Sequence, residues 1–75
     1  MLDDKKVLIT GGTGSLGLAL TKKLLATNVK IIRIYSRNES KQVEMRDQLD
    51  DSRLRFLIGD VRDLERLTKA MEDID

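Results

Sequence analysis

Apolar and polar positions along the chain alternate between two spacings. Val7-Leu8-Ile9 is a continuous apolar run, and Lys6 to Thr10 reads as a short buried strand. From Ser15 to Thr27 apolar residues recur at 16, 20 and 24, with Leu18, Ala19 and Leu25 widening the stripe, which predicts a helix. Thr27-Asn28 predicts its end, with Asn taking a left-handed conformation. Lys30 to Tyr35, carrying Ile31, Ile32 and Ile34, predicts a second strand. The polar break Ser36-Arg37-Asn38 precedes a second helix over about Glu39 to Leu49, with Asn38 as its N-cap. Its apolar stripe is thin (Val43, Met45 and Leu49 among charges), so most of it should face solvent. After the turn Asp50-Asp51-Ser52, Leu54 to Ile58 predicts a third strand. Asp63 then caps a last helix with Leu64, Leu67, Ala70, Met71 and Ile74 at helical spacing, the cleanest amphipathic pattern in the chain.

The stretch Thr10-Gly11-Gly12-Thr13-Gly14-Ser15-Leu16-Gly17 joins the first strand to the first helix. Gly11, Gly14 and Gly17 have the spacing of a dinucleotide-binding turn, and each has its own task there. Gly11 lets the chain turn sharply, Gly14 lets the backbone approach a pyrophosphate, and Gly17 lets the helix lie close on the sheet. The helix's free N–H groups and its positive end favour phosphate. The alternative is a glycine-rich turn without a ligand. A Walker loop is excluded by spacing: Gly17 follows Gly12 after four intervening residues, but Leu18 and Ala19 come next where Lys and Ser or Thr are needed.

Strand–helix alternation with short turns implies parallel strands and right-handed crossovers, an α/β fold. Three such units make half of a Rossmann doubly wound parallel sheet, βαβαβα with strand order 3-2-1. A fourth strand would lie on the far side of the first. Without it Val7-Leu8-Ile9 forms an uncovered apolar edge, which soluble proteins avoid. The expectation is that residues 1–75 are the N-terminal part of a longer dinucleotide-binding domain, or that a partner chain, such as another copy, covers that edge. At 75 residues the chain is one small domain at most.

Composition narrows the function classes. The net charge is +1, with 14 basic and 13 acidic residues mixed along the chain, so no electrostatic footprint points to nucleic acid. Only Tyr35 and Phe56 could stack on bases. The absence of Cys and His removes disulfides, thiolate metal sites and histidine acid–base chemistry, and no metal site is expected. No signal peptide is evident, and no run approaches the ~20 apolar residues of a membrane span, so no membrane partner and a cytoplasmic location are expected.

The ends of the second and third strands bear on the ligand. An NAD-binding unit places an acid about 20 residues past the glycine turn. Here Arg37 stands there, preceded by Ser36. A guanidinium and a hydroxyl suit a 2′-phosphate, which favours NADP over NAD. The plain alternative for Arg37 is a solvated loop arginine. At the end of the third strand, Asp60 can accept from the adenine amino group while Val61 walls the ring. Alternatively Asp60 caps the following helix, a task for which Asp63 competes.

These residues carry a family resemblance. Thr10 to Gly17 resembles the cofactor turn of the extended short-chain dehydrogenase/reductases. Tyr35-Ser36-Arg37, Lys41-Gln42-Val43-Glu44-Met45-Arg46 and Leu54 to Asp63 (Leu-Arg-Phe-Leu-Ile-Gly-Asp-Val-Arg-Asp) resemble more particularly the N-terminal segment of the inverting UDP-N-acetylglucosamine 4,6-dehydratases of bacterial surface-polysaccharide and pseudaminic-acid synthesis. The likeness spans essentially the whole chain, and Leu16 stands where these enzymes often have Phe. It implies an enzyme with tightly held NADP that takes hydride from sugar C4, permits loss of water across C5–C6, and returns hydride to C6. By position, it places Gly11, Thr13, Gly14, Ser15, Leu16 and Gly17 at the pyrophosphate. Ser36 and Arg37 fall at the 2′-phosphate, and Asp60 and Val61 at the adenine.

The resemblance also implies a Tyr-x-x-x-Lys catalytic pair, which is not found here. The lone tyrosine, Tyr35, is followed four residues on by Glu39, and it stands at a strand end where a bulky structural role fits better. No catalytic residue is assigned, and the nucleotide-sugar substrate would meet groups outside these residues. The chain alone is therefore expected to hold part of NADP without turning over substrate. Two other readings stay open: a nucleotide-sugar epimerase or reductase of the same superfamily, and a non-catalytic NADP-binding regulatory module.

Overall fold

The computed structural model describes residues 3–11 and 14–75. Six elements follow one another: β1 (Lys6–Thr10), α1 (Ser15–Leu25), β2 (Ile31–Ser36), α2 (Glu39–Leu49), β3 (Leu54–Ile58) and α3 (Leu64–Ala70). The strands form one parallel sheet with β2 in the centre, the 3-2-1 order of a half Rossmann fold. Thr10 of β1 is level with Tyr35 of β2, and Tyr35 with Leu57 of β3. All three carboxyl ends therefore finish along one edge.

The alternation of side chains across a strand assigns the two faces. One face carries Ile9, Ile32, Ile34 and Leu54, which form the buried cluster with Val29 and with Met45 of α2. Leu18, Leu24 and Leu25 of α1, and Leu49 of α2, pack against it. Tyr35 and Arg33 point to the other face, where Arg33 Nη1 donates to the carbonyls of Ala70 and Glu72, both at 2.7 Å. A cation is thus held at the carboxyl end of α3, where the helix dipole favours it. Helices on both faces make the half-fold doubly wound.

The helices differ from the expected stripes in instructive ways. On α1, Gly17 and Thr21 are buried, whereas Leu16 is 84% exposed and Leu20 also faces outward. The packed face runs through Gly17, Leu18, Thr21, Leu24 and Leu25, so of the 16/20/24 stripe only Leu24 keeps its expected place. Helix α1 ends at Leu25 rather than Thr27, and neither Thr27 nor Asn28 takes a positive φ. Its end is tightened instead by Ala26 N–H to Lys23 O (3.2 Å) and Thr27 N–H to Leu24 O (3.0 Å). On α2, Val43 is exposed and Gln42 takes its place beside Met45 on the buried side. In α3 only Ala70 is fully buried, Leu64 and Met71 are exposed, and Ile74 lies past the helix end.

Two polar devices tie the frame together. Arg53, at the entry to β3, pairs with Asp51 at 3.0 Å and donates to the carbonyls of Leu25 (2.7 Å), Thr27 (2.9 Å) and Val29 (3.3 Å). It thereby clamps the α1–β2 connection to β3. On the outer edge of β1, Lys6 accepts from the Asp75 backbone N–H (2.9 Å) and its own N–H donates to the Asp75 carboxylate (2.7 Å). No strand lies on that edge among the described residues.

Candidate cofactor site

Local chemistry explains how each strand hands over to its loop. Gly11 has φ +63°, a left-handed conformation that an L side chain rarely adopts, and the chain leaves β1 through it. Its N–H still donates to Tyr35 O at 2.9 Å, and Gly59 N–H donates to Ser36 O at 2.9 Å. The ladders thus continue one residue beyond β1 and β3, keeping the loops side by side. Gly14, Ser15 and Leu16 follow at the start of α1, and Gly17 is buried one residue further in. Thr13 lies outside the described residues.

The three helix starts differ. Asn38 accepts from Lys41 N–H at the head of α2 (3.0 Å), and Asp63 accepts from Arg66 N–H at the head of α3 (3.1 Å). Each also has a glutamate in its first turn, Glu39 and Glu65. Helix α1 begins at Gly14, which brings no side chain, and no acid stands in its first turn. Among the described residues, the nearest atom to a Cβ built on Gly14 is the Gly11 carbonyl oxygen at 4.0 Å. Among the described residues no side chain caps the amide groups at the positive end of α1.

Beside this helix start the strand ends enclose a cleft of about 510 Å³, lined by Gly11, Tyr35, Ser36, Arg37, Asn38, and by Gly59 to Arg62. Five of the residues singled out in the sequence (Gly11, Ser36, Arg37, Asp60 and Val61) therefore share one wall system. Gly14 and Ser15 are not among its lining residues; they border a neighbouring depression between α1 and α2. The Arg37 side chain is 71% exposed, and its Nη1 reaches Asp60 at 3.4 Å. Glu39 is the first residue of α2 and does not line the main cleft.

Asp60 does not cap α3, since Asp63 does so. The Asp60 carboxylate closes an Asx turn onto Arg62 N–H (2.9 Å) and pairs with the Arg62 guanidinium (2.8 Å). Hydrogen bonds from Arg62, and then the charges of Arg62 and Arg37, hold its carboxyl well below the usual carboxylate range. It is an anion whose acceptor positions are taken up by Arg62 and Arg37.

Tyr35 is a structural residue. It is fully buried, and its Oη donates to Asp60 O at 2.8 Å. A Cβ on Gly59 would lie 2.3 Å from that Oη, so only glycine lets the β3 end pass over the ring. Burial first, and then the nearby Asp63 and Asp60 carboxylates, push the phenol upward from its ordinary value. The Tyr35–Gly59 contact, Gln42 and Arg62 were not singled out from the sequence. Gly59 at a strand end was the available signal, because an isolated glycine there marks close approach of another group.

Comparison with known proteins adds the family. Residues 7–75 match the model of the family described as polysaccharide biosynthesis protein. The chain belongs to that family. Over its whole length it is 53% identical to a UDP-N-acetylglucosamine 4,6-dehydratase (inverting) of Campylobacter jejuni, and 47% identical to a UDP-glucose 4-epimerase of Rickettsia prowazekii. It spans 23% of the length of each. Among solved structures, Pen from Bacillus thuringiensis superposes with TM-score 0.95 at 40% identity, covering all of this chain and 23% of that one. A short-chain dehydrogenase/reductase (wide type) from Veillonella parvula, in complex with NADP, superposes with TM-score 0.75 at 25% identity over 93% of this chain and 32% of that one. The polysaccharide biosynthesis family thus shares this half-fold with short-chain dehydrogenase/reductases. Among the described residues no helix is long and apolar enough to cross a membrane.

Proposed function

We propose that this chain is the NADP-binding segment of a nucleotide-sugar 4,6-dehydratase, acting on UDP-N-acetylglucosamine in surface-polysaccharide synthesis. The observation that carries the reading is the juxtaposition of a start of α1 that is acid-free and, among the described residues, uncapped with a cleft walled by Ser36, Arg37, Asp60 and Val61. In this reading the dinucleotide runs along these residues. Gly11, Thr13, Gly14, Ser15, Leu16 and Gly17 take the pyrophosphate, Ser36 and Arg37 the 2′-phosphate, and Asp60 with Val61 the adenine. Arg37 moves from its long contact with Asp60 to the phosphate, which frees the carboxylate to accept from the adenine amino group. Arg62 stays behind to keep Asp60 ionised.

When bound, NADP supplies the hydride acceptor and donor for oxidation at sugar C4 and reduction at C6, with no net redox change. This segment orients that group; it contains no Tyr-x-x-x-Lys pair, and proton transfer belongs to residues outside it. The reading also includes a cytoplasmic location and a further segment or second copy along the outer edge of β1.

The test is made on the intact protein. NADPH should bind more tightly than NADH, Arg37→Ala should abolish that preference, and UDP-N-acetylglucosamine should yield a 4-keto-6-deoxy product visible by NMR. Equal loss of both cofactors on Arg37→Ala would refute the 2′-phosphate assignment. Interconversion of UDP-glucose and UDP-galactose, without dehydration, would favour the second reading, an epimerase, to which the Rickettsia relative points.

A further inference from the structure

Gln42 is a long amide buried in the face that α2 turns toward the sheet, 5% exposed and beside Met45. An apolar residue of its size would fill that space without the cost of burying an amide. Its Nε2 donates to Leu57 O at 2.8 Å and to Ser36 Oγ at 2.9 Å, with Ser36 O a third, longer neighbour at 3.5 Å. Two of these three atoms are carbonyl oxygens, which only accept. The amide is therefore held with its nitrogen toward them, since the flipped orientation would set oxygen against oxygen.

That orientation decides what the Ser36 hydroxyl can do. A hydroxyl has one proton and two lone pairs, and Ser36 Oγ spends a lone pair on Gln42. Its proton has no recorded acceptor among the described residues, while Ser36 contributes to the wall of the cleft beside Arg37. We infer that Gln42 is a positioning residue: it turns Ser36 into an obligate donor toward a phosphate monoester held by Arg37. Building on the NADP reading, Gln42 would thus add to the preference for the 2′-phosphate without touching the ligand. Remove the amide, and the Ser36 proton turns inward onto the carbonyls that Gln42 had satisfied.

The experiment measures NADPH and NADH affinities of the intact protein with Ser36→Ala, Gln42→Met and the double variant. Each single change should weaken NADPH about tenfold, the size of a lost hydrogen bond to a charged group, and leave NADH unchanged. The double variant should lose no more than either single one, because both remove the same donated proton. A merely structural Gln42 would move both cofactors together, and that result overturns the inference. If Gln42→Met does not fold, Ser36→Ala and Ser36→Thr decide. A full NADPH preference in Ser36→Ala refutes the donor, whereas loss in Ala and retention in Thr supports it. Equal affinity of the unaltered protein for NADPH and NADH would sink the NADP reading itself. A preference destroyed by Arg37→Ala but untouched by the Ser36 and Gln42 changes would sink this inference alone.

Discussion

Replacing Gly14 by Asp separates what the α1 start does for stability from what it does for binding. Gly14 sits at φ −76° and ψ 175°, extended backbone that any residue adopts, and among the described residues the nearest atom to a Cβ there is the Gly11 carbonyl oxygen at 4.0 Å. Against those residues the substitution introduces no clash. It supplies a side-chain cap of the kind that α2 and α3 have and that no described residue gives α1, worth a few tenths of a kcal/mol over glycine. A carboxylate at the positive end of the helix adds about 0.3–1 kcal/mol. Together these should raise the thermal midpoint by roughly 2–8 °C for a domain of this size. The same carboxylate would stand at the proposed pyrophosphate site. Two like charges about 4 Å apart repel by about 4 kcal/mol at an effective dielectric of 20, close to a thousandfold in affinity. Calorimetric melting and NADPH titration of one preparation read both effects. Gly14→Ser provides the cap without the charge and should stabilise with a much smaller loss of binding. A Gly14→Asp protein that binds NADPH normally would refute the placement of phosphate at α1. One that melts lower would refute the claim that this helix end is uncompensated.

Other perturbations have definite outcomes. Gly59→Ala drives a methyl into the buried Tyr35 ring and should cost about 1–3 kcal/mol in urea unfolding, with much of the loss relieved in a Tyr35→Leu background. Arg53→Met releases the three carbonyls and Asp51 and should cost about 2 kcal/mol in the same assay. Asp51 and Asp60 both titrate below their unfolded values, Asp51 through its hydrogen bonds from Arg53 and Asp60 through those from Arg62. Their contribution is present above an unfolded pKa of about 3.9 and disappears as pH falls through the folded values. Melting temperatures between pH 7 and pH 2.5 should show that acid limb, and Asp51→Asn should flatten it. Tyr35 has the opposite sense: its raised phenol pKa means stability held below about pH 10 is lost as pH climbs through the folded value. Absorbance at 295 nm should show its ionisation delayed and coincident with unfolding.

Which parts of this molecule were legible in the sequence follows from the range of the interactions involved. The β1, β3 and α2 limits and both side-chain caps are local, set by β-branched runs and by Asn or Asp ahead of a helical pattern, and they appear where the sequence puts them; β2 is displaced by one residue, Ile31–Ser36 rather than Lys30 to Tyr35. The gathering of Ser36, Arg37, Asp60 and Val61 at one edge is also legible, because parallel strands must all end on the same side. What periodicity missed is part of each packed helix face. Counting apolar residues placed Leu18, Leu24, Leu25, Met45 and Leu49 correctly against the core, but it also favoured Leu16 and Leu20 on α1 and Val43 on α2, which are exposed, and passed over the buried Gly17, Thr21 and Gln42. Small side chains bring backbones close, and a buried amide is tolerated once carbonyls meet it; neither effect registers as hydrophobicity. Thr21 resolves its own burial by donating to Gly17 O at 2.8 Å, as Gln42 does across the α2–sheet interface. Polar residues on an apolar face are thus where sequence pattern and tertiary structure part company. In this half-fold the larger of them stands directly behind the candidate phosphate site, which is why its misplacement in the sequence pattern carries functional information.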